Sequence, residues 1–178
     1  MLHVRGRLDG LREREEAYDG YAEGIATVMA FEAPGPRALL VEALEIPEDL
    51  EPAVAAVLGD VLRGAVVSNP EDGAGIAERL RRAGEGRVSL VPIDARGGRG
   101  PMQALPEGAR RLTELIAARP GFETLRTALF GDVILADDLV SAVAAWRTHG
   151  GEGLTWVTPA GDVLDRRGVV TGGEAPAA

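Results

Sequence analysis

Cysteine is absent from the 178 residues, which excludes disulfides, thiolate metal ligands and thiol chemistry. Lysine is absent as well, because all 19 residues counted as Lys or Arg are Arg. A Walker A loop needs a Lys on the phosphates, and Schiff-base and pyridoxal chemistry need a Lys amine, so those classes fall away together. Histidine is scarce: His3 and His149 stand far apart, and no His-x-x-x-His spacing offers a zinc site. Apolar runs are short and broken by Gly, Pro or charge, so no membrane-spanning helix is expected. The N-terminus shows no signal-peptide stretch. A soluble, cytoplasmic chain is expected.

Acid is abundant. The formal net charge is −9, which repels nucleic acid on average and leaves DNA contact to a local Arg cluster. The length suits one α/β domain or two small lobes sharing a core, and a chain of this size buries roughly 70% of its unfolded surface.

Residues 1–19 are polar, with Val4, Leu8, Leu11 and Tyr18 on a heptad seam and Glu15 in one core slot. Two heptads cannot stand alone, so this segment is either a surface helix or the end of a coiled-coil arm whose partner strand lies elsewhere. Beyond it, short apolar strands alternate with amphipathic helices. Strands are expected at Gly64–Ser68, Arg87–Ile93, Val133–Ala136 and Leu154–Thr158. Helices are expected from Pro47 to Leu58, at Asp72–Ala83, at Leu112–Arg119 and at Asp137–Trp146. Residues 95–108, rich in Gly, Pro and Arg, are expected to form a linker. An internal echo runs through the chain: Ala56–Val61 resembles Ala128–Val133, and Gly84-Glu85-Gly86 resembles Gly151-Glu152-Gly153. Helix–strand–helix–strand thus occurs twice, with Gly at helix ends where positive φ is wanted. The fold class is α/β with mixed sheets, in two pseudo-symmetric lobes of about 20–94 and 109–173, followed by a tail at 174–178.

Catalytic and cofactor candidates are few. Asp137-Asp138 opens a helix, where a carboxylate caps free N–H groups. Gly73-Ala74-Gly75 would suit a dinucleotide loop, but Glu78 stands where the third Gly or Ala is needed, and Glu71 and Asp72 oppose a pyrophosphate. No Gly-x-Ser-x-Gly elbow is present. No catalytic residue, metal ligand or cofactor site is expected. A small Rossmann-like nucleotide- or ligand-binding domain stands as the alternative.

Five stretches in order resemble the hinge domain of bacterial structural maintenance of chromosomes (SMC) proteins. They are Tyr18–Ile25, Pro34–Leu50, Ala53–Val67 (through Leu58-Gly59), Gly86–Asp94 and Val157–Leu164 leading into Gly168-Val169-Val170-Thr171-Gly172-Gly173. The chain departs from the family pattern at Arg167, Ala38, Ser89 and Leu90. The resemblance implies an SMC-hinge-like fold and a non-catalytic homodimerisation module that joins two coiled-coil arms into a ring-shaped complex. The dimer interface it implies is Arg167, Gly168, Val169, Val170, Thr171, Gly172 and Gly173, extending a sheet into the other copy. A charged side chain at Gly172 or Gly173 is expected to block that approach. Weak DNA contact is expected at Arg5, Arg7, Arg12 and Arg14. The parent protein would be an ATPase through head domains outside this chain, with kleisin-type subunits at those heads, and would be nucleoid-associated.

Overall fold

The computed structural model describes residues 19–97, 104–149 and 152–174. Residues 1–18 of the expected arm segment, with Arg5, Arg7, Arg12 and Arg14, lie outside these residues. The described chain divides into two compact units. The first holds residues 19–40 and 63–93; the second holds residues 41–62 and those from 94 onward. Residues 41–62, placed by the sequence in the first lobe, therefore cluster with the second.

The first unit is built on helix α1 (residues 19–29), strands β1 (Ala38–Leu39), β3 (Ala65–Val67) and β4 (Leu90–Pro92), and helix α4 (Pro70–Ala83). β1 runs antiparallel to β3, and β3 runs parallel to β4. A parallel pair needs a long crossover, which α4 supplies. Helix α4 starts earlier than its apolar period suggests. Asn69 caps it by accepting the Asp72 N–H at 2.7 Å, and Pro70 occupies the first turn. It ends at Gly84, whose φ of 70° is left-handed. Val28, Val67, Ile76 and Leu80 form the core, with Phe31, Val88 and Leu90 packed against it. Gly73 lies buried within α4, where a Cβ would meet Leu90 and Val67 at ordinary van der Waals distance. Both glycines thus lie within the helix, Gly73 on its buried face and Gly75 exposed, and not in a phosphate loop before it.

The second unit contains α2 (Leu40–Ala43, all but its first residue), β2 (Leu44–Glu45), α3 (Glu51–Leu58), β5 (Arg110–Arg111), α5 (Leu112–Leu115), β6 (Ala117–Ala118), α6 (Glu123–Phe130), β7 (Val133–Leu135), α7 (Leu139–His149), β8 (Thr155–Val157), β9 (Val163–Leu164) and β10 (Val170–Thr171). Its main sheet has the order β10-β9-β8-β7-β5, and β2 pairs separately with β6. The expected helix over Leu112–Arg119 is one turn followed by a strand. Ala117 and Ala118 pair with Glu45 and Leu44, and the Arg119 N–H donates to the Ala43 carbonyl. A tertiary ladder overrides helix propensity there.

The repeat is present in the topology. The order β1-α2-β2-α3-β3-α4-β4 recurs as β5-α5-β6-α6-β7-α7-β8, with an antiparallel and then a parallel pairing in each. The matched strings diverge locally. Gly59 ends α3 with a φ of 53°, but Gly131 sits after α6 at an ordinary helical φ of −62°. Val61 lies in a 3-10 turn (Gly59–Arg63) before β3, whereas Val133 starts β7 directly.

Candidate functional site

The main sheet carries an apolar row across its strands. Register aligns Ile134 with Trp156, Trp156 with Leu164 and Leu164 with Val170. Residues directly opposite on neighbouring strands share a face. Ile134, Trp156 and Leu164 are buried with Ala142 and Ala145 of α7. The row ends at β10, where Val170 is 51% exposed and its neighbour Val169 is 49% exposed.

The same register orients the backbone. Asp165 N–H donates to the Val169 carbonyl, so the ladder bond at this end of the hairpin falls between Asp165 and Val169. The next pair, Leu164 with Val170, is then the non-bonded kind. The N–H and C=O of Val170 accordingly point away from β9, toward the open side of the sheet. An edge with apolar side chains and outward-facing main-chain groups, unpaired among the described residues, invites another strand.

The residues around this edge are held by two aspartates. Asp165 opens a four-residue turn in which the Gly168 N–H donates to the Asp165 carbonyl. Its Oδ1 accepts the N–H groups of Arg167 at 2.8 Å and Val169 at 3.0 Å, and its Oδ2 accepts the Arg167 guanidinium at 2.6 and 2.8 Å. The Arg167 side chain and these amides hold the Asp165 carboxyl below its ordinary range, and Asp165 in turn raises Arg167. Asp162 acts at the other end: its Oδ1 accepts the Gly173 N–H at 3.2 Å. Asp162 is itself fixed by Thr158, which is buried. The Thr158 hydroxyl donates to Oδ2 and accepts the Asp162 N–H, each at 3.1 Å.

The glycines of the segment have reasons within the chain. Gly168 has a φ of 89°, and a Cβ there would lie 2.9 Å from the Trp146 ring, whose Nε1 donates to the Arg166 carbonyl. A Cβ on Gly172 would collide with the Asp162 carboxylate, and Gly173 has a φ of 106°. Arg167, at the position where the family pattern has Gly, is the guanidinium of the Asp165 pair. Thr171 lies exposed in β10. The structure thus brings residues 167–173 together on one hairpin. The aspartates that hold them were not singled out as site residues, although Asp at the first and Gly at the fourth position is a turn signal.

Elsewhere, Asp138 is a helix cap. Its Oδ1 accepts the Ser141 N–H at 2.7 Å, and this bond, followed by the Ser141 side chain, lowers its pKa. His149 meets Glu152 at 3.1 Å, so a His-x-x-Glu spacing does accompany this histidine, against the expectation that it has none. Among the described residues no group of three or more His, Asp or Glu is placed to hold a metal, and no helix is long and apolar enough to cross a membrane.

Residues 33–146 match the family model for the SMC proteins flexible hinge domain. The chain is 28% identical to the chromosome partition protein Smc of Myxococcus xanthus, covering 98% of this chain and 15% of that protein. It is 33% identical to the protein of the same name from Mycolicibacterium paratuberculosis, covering 97% of this chain and 14% of that one. Among solved structures, it resembles an asymmetric dimer of the Geobacillus stearothermophilus SMC hinge domain. The TM-score is 0.76 at 25% identity, over 99% of this chain and 75% of that one. The chain spans about a seventh of the length of these curated relatives. The likeness to hinge domains replaces the Rossmann-like alternative, in agreement with the helical setting of Gly73 and Gly75.

Proposed function

This chain belongs to the SMC flexible hinge family, and from that premise we propose that it is the homodimerisation hinge of a chromosome partition protein, joining a second copy through β10. The observation that carries this is the edge at Val170, where, among the described residues, an apolar row and outward-facing main-chain groups end together at the margin of a sheet. Strand addition there would cover Val169 and Val170 and satisfy the outward N–H and C=O. The solved relative from Geobacillus stearothermophilus is a dimer of hinge domains. In the first unit, β4 is the longer of the two edges of its three-stranded sheet. Pairing β10 with the partner's β4 gives two equivalent junctions related by a twofold axis, so both form together.

The whole protein would carry ATPase heads and kleisin-type partners beyond this chain, and would be found with the nucleoid. Weak DNA contact at Arg5, Arg7, Arg12 and Arg14 is retained as a proposal. Its test is a binding titration across salt, in which a flat response argues against phosphate contacts.

Val170→Pro is the direct test of the edge. Proline is tolerated in an edge strand when the N–H it removes faces solvent, so the single copy should fold, while the outward donor needed by a partner is gone. Sedimentation equilibrium should show a dimer for the parent chain and a shift to monomer for the variant. A parent chain that remains monomeric at high micromolar concentration would sink the proposal. Gly172→Asp is a poorer probe than the sequence suggests, because its side chain would first meet Asp162 of the same copy.

A further inference from the structure

We propose that Asp162 and Asp165 are positioning residues for dimerisation, two carboxylates that pin both ends of β10 so that its free edge is already formed in the single copy. The inference rests on the dimer reading above and adds to it the device that prepares the edge.

The segment has little else to hold it. β10 is two residues long and, among the described residues, pairs only with β9, itself two residues long. Its side chains add little burial: Val169 and Val170 are half exposed, and Thr171, Gly172 and Gly173 are exposed. Glycine also loses the most backbone freedom on ordering. Such a strand would be expected to fray. The two aspartates act against this at the N–H groups that point inward. Asp165 takes the amides of Arg167 and Val169, just before the strand, and Asp162 takes the amide of Gly173, just after it. Between them lies Val170, whose N–H and C=O remain for a partner.

Each carboxylate is itself anchored. Asp162 is tied to buried Thr158 at the end of β8, in a turn where Thr158 N–H donates to the Asp162 carbonyl and Gly161 N–H to the Thr158 carbonyl. Asp165 is tied to Arg167, and its turn rests on Trp146 of α7 through Gly168 and Arg166. The clamp thus passes the rigidity of β8 and α7 to the edge. Ordering a segment before association removes that cost from binding.

The test compares the parent chain with Asp162→Ala, Asp165→Ala and their Asn counterparts. Asn keeps one oxygen that can accept the same backbone amides, so it should restore what Ala removes. Two readouts are taken: the dimer dissociation constant by sedimentation equilibrium, and amide exchange of single residues by NMR in the Val170→Pro monomer background. The Ala variants should weaken the dimer about tenfold, the scale of ordering a few residues before binding. Exchange should quicken at Val169 for Asp165→Ala and at Gly173 for Asp162→Ala, while Trp156 and Val157 of β8 keep their protection. Leu44→Ala, a destabilising change in the β2–β6 pair and in neither β10 nor β4, should leave the dissociation constant unchanged, separating positioning from general loss of stability. Unchanged affinity in both Ala variants, unchanged exchange at Val169 and Gly173, or failure of Asn to restore either readout overturns the inference. If the parent chain itself never dimerises, the dimer reading falls, and the exchange data alone still decide whether the carboxylates hold the hairpin.

Discussion

Asn69 and Asp138 show what single side chains contribute here. Each caps a crossover helix by accepting a backbone N–H three residues on. Asn69→Ala should cost about 1 kcal/mol, measured by urea unfolding. Asp138 adds a pH dependence. Its pKa is lowered in the folded chain by the Ser141 N–H, so the unfolded state binds the proton more tightly. Its contribution is then present at neutral pH and is lost as pH falls below the ordinary carboxylate range. The melting temperatures of the parent chain and Asp138→Ala should differ at neutral pH and converge in acid. The capping role of Asp138 was legible from the sequence, because Asp before a helical run has few other uses. The pairing of Asp162 with Gly173 was not, since it joins residues eleven apart whose proximity depends on the hairpin register.

At the scale of elements, the short β2–β6 pair ties residues 41–62 to the chain after residue 94. Leu44 in β2 is buried at 4% exposure, whereas Val41 in α2 is 48% exposed. Both are apolar positions in one short stretch, and the sequence alone does not rank them. Leu44→Ala should destabilise by about 2–5 kcal/mol, while Val41→Ala should stay within about 0.5 kcal/mol; denaturant midpoints at equal slope would check both. Strands β3, β4, β7 and β8 were legible as apolar runs on either side of helical patterns, while their parallel pairing came from the ladder. The strand at Ala117–Ala118 was not, because two alanines carry a helical preference that only the facing Leu44–Glu45 backbone overrules. The C-terminal hairpin was legible as glycine punctuation, but its inward and outward faces came from the ladder.

For the whole molecule, the proposed dimer makes stability depend on concentration. The melting temperature of the parent chain should rise with protein concentration, and that dependence should disappear in Val170→Pro. A flat response in the parent chain would contradict the shared edge. The sequence by itself determined the alternation of strands and helices, the twofold repetition, the exclusion of lysine and cysteine chemistry, and the order of stretches by which the family is recognised. These follow from composition and local spacing, which act over a few residues at a time. Only the tertiary structure decided that residues 41–62 join the second unit, that Trp156, Leu164 and Val170 stand in one row, and that two aspartates hold the edge beside them. Those features are set by which backbone groups find each other across long stretches of chain. One residue of register shift would turn Val170 to the opposite face of the sheet, and local sequence does not encode that choice.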